Sequence, residues 1–555
     1  MPTIEIDRRT LTRIVGREIG DAEFEELLFN FKGEVQSRGT STVAVELNAD
    51  RVDLMCSAGL GRAFKGFLGL ELGFPRYPFA ETDFTLDVDT SSLREKRPFM
   101  VAYLVKGVRL DEISVRELID FQERMHQILS GNRLRFAIGV HDVSRLASHR
   151  LTYRAVGSSN ISFIPLGAER EMNADQILAE HPKGQEFSHL VAGWNSYPLL
   201  ATDAGEVLSM PPIINGSLTQ LTAHSSSLMV DVTGTDLTLV RSAAQLMAFT
   251  IAEFGGTIAK ILPSGAADVE AAKPANLPEM REMELDCDYL RGILGLPLKK
   301  SSIKSLLGRA RFDSVSQRGN RIMAKVPLYR LDIMHQVDLI EDVAMMYGYQ
   351  NIRPEKPYHA TDGSLHTITL VTEGARRSLS SLGFIEVNNM LLCASSASFW
   401  SQPLDMIRLS NPMSHDMDSL RSSLLPGLLS FLTKNQNRPK PIHIFEVGPV
   451  VGIRDGSYVQ SYNACALVCD NVATCDIIED FFAQFCLDIG LTPSFGDRAG
   501  DPFLAGRGSI ILLPDQRQGR IGEVSPEILR RIGLDYPVAC FELELCLPTL
   551  RRLTY

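Results

Sequence analysis

A chain of 555 residues, 45% apolar and 22% charged, has ordinary globular composition. At about 100–200 residues per domain it holds roughly three to five domains. A formal net charge of −11 counts against a protein that grips nucleic acid unaided, since phosphate contacts favour basic surfaces. Either nucleic acid is not a partner or another chain supplies most of the phosphate contacts. Nine cysteines (Cys56, Cys287, Cys393, Cys465, Cys469, Cys475, Cys486, Cys540 and Cys546) include no CxxC pair. Reduced thiols in a cytoplasmic protein are expected, most of them acting as small buried hydrophobes. The start, MPTIEIDRRT, lacks the apolar segment of a signal peptide. No run approaches the ~18 apolar residues of a membrane span. Asn160-Ile161-Ser162 and Asn215-Gly216-Ser217 match the glycosylation pattern, but a cytoplasmic chain would not use it.

Residues 1–90 read as a small α+β module. Ile4 and Ile6 alternate in a strand, Asp7 caps the following helix, Asp21 caps a second, and Val43, Val45 and Leu47 line another strand face. Gly59-Leu60-Gly61 lies in the helical stretch that follows, but the third glycine of a dinucleotide loop is missing. Residues 91–265 read as a mixed α/β domain. In it Ser114 and Glu117 have capping-box spacing, ahead of Leu118, Phe121, Met125 and Ile128 at helical spacing. Phe136, Ile138 and Val140 share one face of a strand that ends in His141-Asp142. Leu228, Val230 and Val232 alternate, so Asp231 and Thr233 share the opposite face. Residues 262–280, rich in Ala, Pro and Gly, read as a linker. Residues 275–356 read as a small α+β unit, with Ile322, Ala324, Val326 and Leu328 on one face of a strand that Pro327 places at an edge. Residues 360–555 form a larger region that opens with a helix near Glu373–Leu382 and carries the strand-like IHIFEVGPVV. The fold class is multidomain α+β.

Two segments carry chemistry. Asp338, Glu341 and Asp342 stand at i, i+3 and i+4, one face of a helix, and Asp332 can fold back toward them. Converging carboxylates call for a hard cation, and Mg2+ suits oxygen ligands with retained waters. The same acids also suit a capping box and the positive end of a helix. The second segment is SMPPIINGS with LMVDVTGTD. Pro211-Pro212 fixes an extended backbone and Asn215-Gly216 a turn. Ser209 and Asn215 can then sit near Asp231 and Thr233, as a polar pocket for a hydroxyl or amino group or as a solvated strand face with a hairpin turn. His141-Asp142 fits a structural turn as well as a site. No Gly-x-Ser-x-Gly elbow and no P-loop occurs.

Together these segments resemble one family. NADRVDLMCSAGLGRAF resembles the N-terminal signature of phenylalanine–tRNA ligase beta subunits of the shorter archaeal and eukaryotic-cytosolic type. RFAIGVHDVSRL, SMPPIINGS and VDVTGTD resemble that family's editing domain. VPLYRLDIMHQVDLIEDVAMMYGY resembles its small magnesium-associated domain, and RSSLLPGLL, IFEVGPVV and GRIGEVSPEIL its C-terminal catalytic-like domain. The resemblance implies an α2β2 heterotetramer whose alpha subunit carries ATP, phenylalanine and the adenylate chemistry, and whose beta chain ends in a class II synthetase-like antiparallel sheet without catalytic apparatus. No Gly-x-Gly-x-x-Arg segment occurs in the final 200 or so residues, as that implies. The alpha chain and tRNA would be the partners, which eases the charge puzzle. The family's Mg2+ ligands map onto Asp332, Asp338, Glu341 and Asp342. Its editing pocket, which hydrolyses tyrosyl-tRNA, maps onto Ser209, Asp231 and Thr233, with Leu199, Asn215 and His141 beside them. Asp50 and Val52 stand where the family commonly has Asn and Pro, and Ser144 where it commonly has Asp. A freestanding aminoacyl-tRNA hydrolase and a non-catalytic scaffold are the alternatives.

Overall fold

Alternating apolar residues pair Thr3–Asp7 and Glu34–Arg38 on either side of Thr42–Glu46 in the computed structural model. The structure describes residues 2–264, 279–317, 319–356, 358, 361–397, 400, 404–513 and 518–545. It forms two units, residues 1–355 and 356–555. Most of the expected 262–280 linker lies outside the described residues, which resume at the strand Met280–Asp286. No helix among the described residues is long and apolar enough to cross a membrane.

In the first module, Asp7 caps the helix Arg8–Val15 by accepting from the Thr10 amide at 2.8 Å. Asp21 does not cap the second helix as expected; Gly20 holds that position and Asp21 sits in the first turn, where an acid still favours the helix dipole. Gly59 lies inside the helix Ser57–Phe67, where a Cβ would fall 1.8 Å from the Asp53 carbonyl oxygen. The glycine permits close packing against the preceding turn.

Two sheets build the next domain. One runs Phe79–Ala80, Thr257–Lys260, Phe99–Lys106, Ser227–Gly234, Phe136–Asp142. The other runs Ile214–Asn215, Val207–Met210, Ser196–Thr202, Arg150–Gly157, Thr85–Val88, Leu262–Ser264. Strands at 79–80 and 85–88 belong to these sheets, so the chain enters this domain before the boundary expected at residue 90. Leu228, Val230 and Val232 pack into the large core with the helices Glu112–Ile128 and Leu237–Ala252, while Met229 packs into a second core between the sheets. Both faces of Ser227–Gly234 are therefore buried, and Asp231 and Thr233 do not lie on a solvated face. The Ser114–Glu117 capping box is not formed: Asp111 caps the helix through the Ser114 amide, and Glu117 accepts from the Ser57 amide instead.

The 280–349 segment adds a three-stranded sheet, Met280–Asp286, Arg321–Pro327 and Asp313–Ser316, and the helices Cys287–Leu294, Lys300–Arg309 and Gln336–Tyr347. Arg321–Pro327 is the central strand, contrary to the edge position expected from Pro327. Proline is tolerated because it is the last residue of the strand, beyond the short Asp313–Ser316 partner, which reaches only Lys325.

Residues 356–555 centre on a seven-stranded sheet. Its order is Ile385–Glu386, Ile442–Arg454, Ser457–Cys469, Val538–Leu545, Gln518–Val524, Phe503–Leu512, Ser494–Arg498, and it is antiparallel except at the Ile385–Glu386 edge. Phe445 and Val447 pack under the helices Thr367–Ser381 and Cys475–Ile489, and Ile444 and Val450 pack under Leu425–Asn435 and Pro526–Ile532. Cover on both faces explains the nearly continuous apolar run IHIFEVGPVV. All eight cysteines among the described residues are free thiols, six of them buried.

Candidate functional site

A cavity of about 550 Å³ lies between the two sheets of the second domain, lined among others by Glu123, Arg133, Gly139, Ser209, Asn215 and Asp231. Asp231 enters from Ser227–Gly234, the strand next to the edge of one sheet, opposite Gly139 on the edge strand. Ser209 and Asn215 face each other across a hairpin of the other sheet. Asp231 is 1% exposed, and a buried carboxylate needs partners. His141 supplies one: Nε2 lies 2.7 Å from Asp231 Oδ1, and Nδ1 lies 2.7 Å from Thr219 Oγ1. Both ring nitrogens are thus occupied, so His141 orients Asp231 and leaves the cavity to the carboxylate.

Gly139 is part of this arrangement, because a Cβ there would fall 2.3 Å from Asp231 Oδ1 and 2.6 Å from His141 Nε2. The sequence signal was a lone glycine inside a strand, a mark of close approach. Ser209 Oγ is buried without a hydrogen-bond partner, a condition that costs about 1–3 kcal/mol unless something fills it.

The structure separates the remaining expected pocket residues. Thr233 does not line the cavity; the buried Arg97 holds it, through Nε to Thr233 Oγ1 at 3.4 Å and Nη2 to the Thr233 carbonyl at 2.8 Å. Burial lowers the Arg97 guanidinium to about 10. Leu199 packs in a neighbouring apolar cluster with Met210 and Ile213. Ser144 donates to Asp142 at 2.6 Å in an exposed loop, so its departure from the family pattern does not touch the cavity.

Arg133, Glu123 and Thr219 went unnoticed in the sequence. Arg133 Nη1 donates to the carbonyls of Pro212 at 3.2 Å and Ile213 at 2.9 Å, and Nη2 to Glu123 at 2.7 Å. Burial pushes the Glu123 carboxyl up, but the His126 hydrogen bond and the Arg133 charge prevail and hold it at about 2. His126 in turn accepts from the Ile138 amide through Nε2 at 2.8 Å, and burial lowers its pKa. The Arg133 contacts to Pro212 and Ile213 and the His141 contact to Thr219 join residues 78 to 80 positions apart, and the Glu123–Arg133 pair joins a helix to a loop, so none leaves a local pattern.

The four carboxylates expected to hold Mg2+ do not converge. Asp338 caps the helix Gln336–Tyr347 in a box with His335, accepting from the Met334 and His335 amides at 2.7 Å each. The box lies one turn earlier than Asp338-x-x-Glu341. Glu341 pairs with Lys32 at 2.6 Å. Arg330 Nη2 reaches both Asp332 and Asp342 at 2.7 Å. Burial pushes the Asp342 carboxyl up against the pull of Arg330, whereas at Asp332 burial is outweighed by the charge and hydrogen bond of Arg330 together with the Arg51 charge, which lower it. No group of three or more His, Cys, Asp or Glu side chains able to hold a metal occurs among the described residues. The donor set does not fit a resident cation, because Arg330, Lys32 and two backbone amides already partner it.

Arg330-Leu331-Asp332 has a counterpart in Arg51-Val52-Asp53, where Arg51 grips Asp53 through two bonds at 2.8 and 2.9 Å. Arg51 Nη1 also lies 3.8 Å from Asp342. Val52, at the family's usual proline, is buried in the short helical turn Val52–Leu54, and Asp50 lies 3.7 Å from Lys32.

Three family models match the chain and mark it as a tRNA synthetase subunit: the Phe-tRNA synthetase beta subunit B1 domain over residues 1–70, the tRNA synthetase B5 domain over 283–349, and the phenylalanyl tRNA synthetase beta chain CLM domain over 352–545. The phenylalanine–tRNA ligase beta subunit of Saccharolobus solfataricus is 32% identical over 98% of each chain. That of Sulfurisphaera tokodaii is 32% identical over 98% of this chain and 99% of its own. A solved N-terminal fragment of the phenylalanyl-tRNA synthetase beta subunit from Pyrococcus horikoshii matches at 33% identity and TM-score 0.58, covering 63% of this chain and 100% of the fragment. The chain belongs to the family of phenylalanine–tRNA ligase beta subunits.

Proposed function

We propose that this chain joins an alpha subunit, as α2β2, to attach phenylalanine to its tRNA, and that its second domain hydrolyses tyrosyl-tRNA. ATP and the Mg2+ that accompanies it act on the alpha chain in this reading. The sheet of residues 360–555 serves as a class II-like body without catalytic apparatus, and residues 1–90 and 275–356 brace the 91–265 editing domain. The observation that carries the hydrolytic role is the cavity lined by the unpartnered Ser209 hydroxyl and by Asp231, whose carboxylate His141 holds from behind.

The chemistry explains why a second site is needed. Tyrosine is phenylalanine plus one hydroxyl, and an apolar pocket rejects an added hydroxyl only about a hundredfold. A site that hydrogen-bonds the hydroxyl works in the opposite sense, since phenylalanine would leave its polar group unmet at about 1–3 kcal/mol. Asp231 or Ser209 reads the phenol, and Asn215 borders the same space. A positioned water adds to the ester carbonyl carbon, the bond to the ribose oxygen breaks, and that oxygen takes up the proton. Tyrosine and free tRNA leave. These side chains bind and orient without forming a covalent intermediate.

Asp231→Ala in the complex with the alpha chain is expected to lower tyrosyl-tRNA hydrolysis about a hundredfold, the scale of one hydrogen bond to a charged group. Unchanged hydrolysis would refute the assignment. Phenylalanine charging that needs both chains tests the subunit role. No charging by the mixture, with the two chains failing to associate, would leave a freestanding hydrolase or a scaffold.

A further inference from the structure

We propose that Arg133 is a positioning residue that sets the spacing of the two cavity walls and thereby the preference for tyrosine. The proposal rests on the hydrolytic reading of the cavity. Asp231 and Gly139 stand on one sheet, Ser209 and Asn215 on the other. A ligand read from both sides needs the sheets at a fixed separation. Arg133 ties them. Its guanidinium binds the carbonyls of Pro212 and Ile213, in the turn between the Ser209 and Asn215 strands, and the carboxylate of Glu123 on the helix Glu112–Ile128. Its own backbone leads into the Phe136–Asp142 strand, which carries Gly139 and His141.

Three further features fix this tie. Phe187 stacks against the guanidinium, its ring centroid 4.2 Å from Arg133 Cζ. Arg97 Nη1 donates to the carbonyls of Arg133 and Leu134 at 3.2 and 3.3 Å while Arg97 also holds Thr233. The backbone at Gly131, Asn132 and Arg133 is left-handed throughout, at φ 62°, 55° and 70°. A long side chain is rare in that conformation, and strain of this kind persists only where its surroundings over-determine it. Lysine carries the charge but not the planar fork that serves two carbonyls and a carboxylate together.

The test is hydrolysis of tyrosyl- and phenylalanyl-tRNA by the complex with the alpha chain, with kcat and KM separated, for wild type, Arg133→Lys, Arg133→Met and Glu123→Gln. A wall shifted by about 1 Å costs on the order of a hundredfold in a positioned reaction. The ratio of tyrosyl to phenylalanyl kcat/KM is expected to fall at least about tenfold in both Arg133 variants, chiefly in kcat, with a smaller fall for Glu123→Gln. A residue that only stabilises the fold would lower both substrates together and leave the ratio unchanged, and that result would overturn the proposal. If Arg133→Met does not fold, Arg133→Lys and Glu123→Gln give the same reading. A wild-type complex that hydrolyses neither substrate would overturn the hydrolytic reading and this proposal with it, so the two failures appear in different enzymes.

Discussion

Two polar clusters stand out in the sequence as candidate sites and behave differently in the fold. Asp231 shares its cavity with an unpartnered hydroxyl and a glycine that leaves room beside it. Asp332, Asp338, Glu341 and Asp342 are divided among Arg330, Lys32 and backbone amides. Acids already matched by cations or amides serve packing, whereas polar groups left unmatched beside a cavity are available to a ligand. Spacing along a helix does not separate the two cases; the identity of what faces the acids does.

The comparison breaks first at Arg330. Arg330→Met leaves Asp332 and Asp342 without their guanidinium, and loss of one partner in a buried ion pair costs about 3–5 kcal/mol. A large drop in the denaturation midpoint is expected; an unchanged midpoint would show that the acids had another neutraliser. Gly139→Ala comes next. Its methyl must displace either Asp231 or His141, so tyrosyl-tRNA hydrolysis should fall about tenfold or more, with a destabilisation of about 1–3 kcal/mol from overpacking. Full activity in that variant would mean that the His141–Asp231 contact is dispensable.

A smaller effect concerns pH. Burial lowers His126 below its ordinary value of 6.5 in the folded chain. The unfolded chain therefore binds the proton more readily as pH falls through 6.5, and stability present above that value declines below it. His126→Gln, which keeps an acceptor for the Ile138 amide, should flatten the fall in melting temperature between about pH 7 and pH 5. The smallest expected effect is that of a chelator. Since the four carboxylates are already partnered by cations or backbone amides, removing Mg2+ should leave the melting temperature of this chain unchanged to within about 2 °C. A larger drop would restore a cation to the cluster.

Much of the fold was legible because core alternation is local. Val43, Val45, Ile322, Ala324 and Val326 all fall where their spacing puts them, inside. Asp231, Ser209 and His141 were legible as polar residues in apolar strands. Arg133 was not, because its carbonyl partners lie 79 and 80 residues along the chain. Two of the four Arg-x-Asp tripeptides, Arg51-Val52-Asp53 and Arg330-Leu331-Asp332, set an arginine against its own acid, where it competes directly with a metal. In Arg311-Phe312-Asp313 the arginine pairs with Glu71 and the acid with Arg76, so the spacing alone does not announce the pair. Pro327 sits in a central strand because it ends that strand beyond its short neighbour, and the Ser114–Glu117 box is replaced because Asp111 takes the cap and Ser57 engages Glu117.

The free cysteines have a practical consequence. Burial pushes Cys56 and Cys486 up to about 12 and raises Cys465 well above the usual thiol range. Thiolate is the species that reacts with alkylating reagents, so these side chains label only when the surrounding structure opens. Cys56 and Cys287 lie in the first unit, and Cys465, Cys469, Cys486 and Cys540 in the second. The molecule thus carries separate built-in clocks for the opening of its two halves, readable by mass spectrometry without an added label.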